Sequence, residues 1–138
     1  MGEYFEIPKD VRARVTGASI VDAASIPRRR GSEEYKGKVA FVVTGDVENT
    51  GGFDFYPSSA ISKVYGFDDN GHLIMGEITG PRNTVAPGQA SSIQAEVASY
   101  IYSFDLVKSG WVVFCLSSNP ANPQATKSEK CEIYQVNK

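Results

Sequence analysis

Nowhere does this sequence hold the roughly twenty consecutive apolar residues that a helix needs to cross a bilayer, so no direct membrane insertion is expected. A basic surplus is missing too. Fourteen lysines and arginines stand against 16 acidic residues, for a net charge of −2, far from the electrostatic footprint of a nucleic-acid binder or of a protein drawn to anionic membranes by charge alone. Histidine and cysteine are scarce, with one and two residues respectively. That set, without close ligand spacing, falls short of a zinc site, and nothing in the sequence places a nucleophile beside His72. Glycine-rich phosphate loops of the GxxxxGK or GxGxxG kind are absent. The paired carboxylates Asp68-Asp69 and Glu33-Glu34 fall in turn-like segments, where solvent keeps both ionised and neither is tuned for acid or base work. The chain is therefore expected to be no enzyme and to carry no cofactor or metal.

The N-terminus, "MGEYFEIPKD", has neither the basic nor the apolar region of a secretory signal. A mature secreted protein without its leader would read the same way. Cys115 and Cys131 allow one internal pairing. They lie in two strand-like runs, "WVVFCLSS" and "KCEIYQV", whose hairpin would set them opposite each other, and the choice between a disulfide and two buried thiols stays open.

What is present is strand grammar. A length of 138 residues with 41% hydrophobic side chains suits one compact core, and residues 1–138 are expected to form a single domain. In "KVAFVVTGDVEN", Val39, Phe41, Val43 and Val47 alternate with Thr44, Asp46 and Glu48, the period of two that a half-buried strand requires. Upstream, "ARVTGASIVDAASI", broken by Gly17, predicts an irregular edge strand. Between them "PRRRGSEEYKG" reads as a solvated loop. "AISKVYGFDDNGHLIMGEI" predicts a hairpin turning at Asn70-Gly71, and Pro87-Gly88 marks another turn before the alternating Ile93, Ala95 and Val97. "WVVFCLSS" is nearly continuous in apolar residues, which predicts a central strand covered on both faces. "KCEIYQV" alternates beside it, and the polar, proline-bearing "SNPANPQATKSE" between them predicts a flexible connection. About seven strands without a helical period give an antiparallel β-sandwich of immunoglobulin-like type. A small barrel is the alternative.

Three strings, "VTGDVENTGG", "AISKVYGFDDNG" and "TVAPGQASSIQAEV", resemble the FxLYD family of immunoglobulin-like domains of bacterial and archaeal envelope proteins and lipoproteins. Gly45, Val47 and Asn49 match its first strand, Phe67, Asp68 and Gly71 its hairpin, and Pro87 and Gly88 its later turn. Val64 and Gly66 stand in place of the name-giving phenylalanine and leucine. The resemblance covers residues 37–98. It implies an extracytoplasmic location, secreted or anchored to the cell envelope, and brings no catalytic residue with it. Asn49, Asp68 and Gly88 also have a local explanation, since each can serve the backbone of its own turn.

Two segments carry side chains suited to binding. "FDDNGH" resembles a fragment of a calcium loop, yet Gly66 takes the place of the first aspartate and no glutamate closes the ring. Only a site assembled from separate loops, with Asp68, Asp69, Asp46 or Asp54, would serve. The stretch after Asn49 leaves the sheet and carries Phe53, Phe55 and Tyr56, which are either a preformed tip for a protein or glycan partner or rings capping the end of the core. The aromatic run Tyr100 to Phe104 poses the same choice. The leading expectation is a non-catalytic binding or assembly module. The alternatives are a small hydrolase and a protease inhibitor, the latter because "ENTGGF" resembles the asparagine-threonine-glycine loop of sandwich-type cysteine-protease inhibitors. A third possibility is pairing of copies through edge strands, which charged residues oppose.

Overall fold

The computed structural model describes residues 1–26, 33–57, 61–74, 76–79 and 83–138. The arginine triplet of the loop before Glu33 lies outside them. Among the described residues nine strands run in order: β1 (Phe5–Ile7), β2 (Val11–Asp22), β3 (Lys38–Asn49), β4 (Ile61–Asp68), β5 (Leu73–Ile74), β6 (Gly76–Thr79), β7 (Ala90–Ser103), β8 (Ser109–Ser117) and β9 (Glu129–Asn137). They form two antiparallel sheets, β1-β2-β3-β7-β6 and β5-β4-β8-β9, packed as a sandwich rather than closed as a barrel. The count exceeds seven because three strands are short. β1 emerges from the N-terminal stretch, and "HLIMGEI" divides into β5 in one sheet and β6 in the other.

Alternation fixes which side chains meet between the sheets. Val39, Phe41, Val43 and Val47 of β3 and Val11, Ala13 and Val15 of β2 face Val64 of β4 and Val112, Phe114 and Leu116 of β8 in one core. Phe41 and Phe114 are wholly buried, and each contributes about 1.5–3 kcal/mol by leaving water. Phe41 also accounts for Gly66: a Cβ there would lie 2.5 Å from its ring, so the phenylalanine fills the space a larger β4 residue would need. The irregularity expected at Gly17 is present, as the β2–β3 register breaks between Val15 and Gly17, but β2 is not the edge strand expected there, since β1 pairs with its first three residues. A second small cluster, Ala23, Ile26, Tyr35, Ala40 and Ala98, lies apart from the main core.

The reading of "WVVFCLSS" needs a correction. β8 is central, between β4 and β9, but only one of its faces is buried along its length: Val112, Phe114 and Leu116 are buried, while on the other face Trp111 is exposed, Val113 is half-buried and Cys115 alone is buried. No helix among the described residues is long and apolar enough to cross a membrane.

Candidate functional site

One end of the sandwich gathers the loops at 8–10, 50–57, 83–89 and 118–128, and buried amides and a carboxylate bind them together. Asp10 is buried. Its Oδ2 accepts the amide of Asn119 at 2.7 Å, its Oδ1 accepts the Asn122 side chain at 3.1 Å, and its carbonyl accepts the amides of Thr50 and Gly51. Asn119 and Asn122 each precede a proline, which cannot donate. Each folds back on the chain: Oδ1 of Asn119 accepts the Ala121 amide and Oδ1 of Asn122 the Gln124 amide, two successive Asx turns. The connection predicted to be flexible is thus pinned through hydrogen bonds, and the repeated Asn-Pro was the signal for it. Asn49 completes the end. Its Nδ2 donates to the carbonyls of Phe53 (2.7 Å) and Val85 (3.0 Å), and its Oδ1 accepts the Gly51 amide (3.0 Å). In the adjoining turn the Gly88 amide donates to the Asn49 carbonyl, with Gly88 at φ +78°, the left-handed conformation glycine adopts without strain.

This scaffold separates the three aromatics of the 50–57 loop. Phe55 bridges to Val85, is 2% exposed and belongs to the main core, so of the two alternatives it is a ring capping the end of the core and not part of a tip. Phe53 and Tyr56 remain outside, 40% and 53% exposed. Asn49 spends its side chain inside the loop, so "ENTGGF" does not present it as an inhibitor's wedge. In the second aromatic run, Tyr102 and Phe104 are half-buried against the core.

A second surface was hidden in the sequence. On the outer face of the four-stranded sheet the register sets Leu73, Phe67, Trp111 and Gln135 in one row and Tyr65, Val113 and Ile133 in the next. Trp111 is 41% and Ile133 59% exposed, and Tyr65 is also open to solvent. Phe67, Gly71, Trp111 and Ile133 line a shallow groove of ≈ 330 Å³. These side chains form one contiguous apolar strip on the outer face of the sheet. The run of valines around Trp111 concealed it, because hydrophobicity alone does not distinguish a covered face from an exposed one.

Beside this groove Asp68 closes the β4–β5 hairpin. Its Oδ1 accepts the amides of Asn70 (3.0 Å) and His72 (2.7 Å), and its Oδ2 lies 3.0 Å from His72 Nδ1. Burial pushes the Asp68 carboxyl up, but the His72 amide, the imidazole and the Asn70 amide outweigh it, and the group sits below the ordinary carboxylate range. His72 stacks on Tyr102 with ring centroids 6.3 Å apart. Among the described residues no serine or cysteine hydrogen-bonds to that imidazole, so the pair is a hairpin clasp. The calcium alternative is not assembled either, because Asp46 is 2.8 Å from Arg14 and Asp68 is spent on its hairpin. Among the described residues the one group of three possible metal ligands is Cys115, Glu129 and Cys131. Its sulfurs face each other across the β8–β9 pair at bonding distance, 2.08 Å, and offer no thiolate.

No protein-family model matches this chain and no curated protein matches it. The comparisons with solved structures bear on the fold alone. A Bacillus subtilis protein provisionally described as a lipoprotein superposes over 96% of this chain with a TM-score of 0.57 at 8% identity, and the chain spans 38% of that protein's length. An uncharacterized β-sandwich protein of Clostridium difficile 630 superposes over 99% of this chain and 90% of its own, with a TM-score of 0.56 at 14% identity. The likeness establishes an all-β antiparallel sandwich and reaches no further toward the FxLYD resemblance.

Proposed function

We propose that this protein is a non-catalytic, extracytoplasmic binding module that holds a protein or glycan partner against the outer face of its four-stranded sheet. The observation that carries the reading is the strip of exposed Tyr65, Trp111 and Ile133 with half-buried Phe67 on a regular sheet. Strands hold such rings in fixed positions, so little freedom is lost when a partner docks, and tryptophan and tyrosine are the side chains that anchor interfaces most strongly. Three observations support the location: the Cys115–Cys131 bridge, which suits an oxidising compartment; the resemblance of residues 37–98 to envelope domains; and the shared fold with the Bacillus subtilis protein.

Trp111 is the chain's one tryptophan, so its fluorescence reports directly on this face. Titration with soluble cell-wall glycan fragments and with fractionated envelope proteins is expected to shift the emission at one of them. Trp111→Ala should weaken the same partner about tenfold or more, measured by calorimetry. Emission unmoved by every fraction, or full affinity in the Trp111→Ala protein, would refute the assignment.

A further inference from the structure

An open sheet edge presents unpaired N–H and C=O groups that recruit another strand unless the edge is blunted. Most edges here are blunted. β1 has three residues and runs into Pro8, β5 has two residues and β6 has four. Where β2 and β4 extend past those short neighbours, each carries a register break, at Val15/Gly17 and Ile61/Lys63. Where β7 extends past β6, the Asn83 side chain reaches over to Ser91. β9 is different. It has nine residues and no proline, and its register with β8 is unbroken from Ser109↔Asn137 to Ser117↔Glu129.

The Cα atoms of Cys115 and Cys131 are 4.1 Å apart, the narrow spacing of a non-hydrogen-bonded antiparallel pair. Alternation then directs the backbone groups of Lys130, Glu132, Tyr134 and Val136 toward β8. Those of Cys131, Ile133 and Gln135 point outward, where no strand lies among the described residues.

We propose that this edge pairs with the same edge of a second copy, antiparallel about a two-fold axis at Ile133. Charge and length select that register. An axis at Lys130 or Glu132 would set like charges opposite each other, which destabilises a strand pair, and an axis at Cys131 would overlap only residues 129–133. The axis at Ile133 overlaps all nine residues, opposes no like charges, and brings the outward backbone groups of Ile133 into a hydrogen-bonded pair. It also sets the two exposed Ile133 side chains against each other, and the two four-stranded sheets become one. The interface is isologous, as a closed dimer requires. This pairing goes beyond the partner-binding reading and does not rest on it: Trp111→Ala leaves the β9 edge intact, so either property can fail while the other stands.

Sedimentation of the oxidised, full chain from micromolar to near-millimolar concentration is expected to show a monomer–dimer equilibrium. Gln135→Pro removes an outward N–H and spares the β8 ladder, the setting in which an edge strand tolerates proline. It should raise the dimer dissociation constant about tenfold or more. Ile133→Lys places two cations on the axis and should do the same, while Ile101→Lys, at another exposed isoleucine, should leave the equilibrium unchanged. If circular dichroism shows that Gln135→Pro fails to fold, Ile133→Lys decides. A wild-type protein monomeric throughout, edge variants that dimerise like wild type, or an Ile101→Lys protein that dissociates equally would each overturn the proposal.

Discussion

Asp68 shows how much one short side chain settles on its own hairpin. It is buried, yet two amides and an imidazole hold it ionised below its ordinary range. A carboxyl depressed in the folded state contributes stability that is fully present above its unfolded pKa, about 3.9. That contribution is lost as pH falls through the lower folded value. Asp68→Asn is therefore expected to cost about 1–2 kcal/mol at neutral pH, and the gap in melting temperature between variant and wild type should narrow once the pH drops below about 4. A gap of constant size across that range would mean that the charge contributes nothing. The service of Asp68 to its hairpin, and of Asn49 to Gly51 and Phe53, was legible because it acts within a few residues; the bonds from Asn49 to Val85 and from Gly88 to Asn49 join separate loops and had no local signal. The exchange between Gly66 and Phe41 was not legible either, since it joins residues from two sheets.

At the scale of elements, β8 and β9 carried both the clearest success and the clearest failure of the sequence. Their pairing followed from alternation and from the polar connection, and it places Cys115 directly across from Cys131. The exposure of one face of β8 did not follow, because Trp111 and Val113 look as apolar as the buried Val112 and Phe114. Nor did the anchoring of the connection: the repeated Asn-Pro signals its two Asx turns, but not that Asp10, more than a hundred positions away, accepts hydrogen bonds from Asn119 and Asn122. The bridge closes a loop with a sequence separation of 16, for which chain entropy gives a stabilisation of about 3 kcal/mol. Urea unfolding of the oxidised protein should therefore have a higher midpoint than that of the Cys115→Ala/Cys131→Ala double variant by an amount of that order. Mass spectrometry after alkylation should find no free thiol in unreduced protein. Superimposable urea curves would leave the bridge without a structural role.

For the whole molecule, the sandwich separates side chains that keep it folded from side chains it leaves in solvent, and the loop at 50–57 tests that separation within four residues. Phe55 enters the space between the sheets beside Val85, while Phe53 and Tyr56, on either side, stay in solvent. Sequence could not divide them, because all three are large and aromatic and follow two glycines. The division comes from Asn49, which fixes the course of the loop by holding the carbonyls of Phe53 and Val85 at once. Removing a buried phenylalanine leaves a cavity and costs about 3–5 kcal/mol, whereas exposed rings away from a network change stability by about 0.5 kcal/mol or less. For a domain of this size about 1 kcal/mol corresponds to a few degrees. Phe55→Ala should therefore lower the melting temperature by roughly 10 °C or more, and the Phe53→Ala/Tyr56→Ala double variant by no more than about 3 °C. A double variant as unstable as Phe55→Ala would place the outer rings in the core as well. The sheet face around Trp111 would then be the one aromatic surface of these two left for recognition.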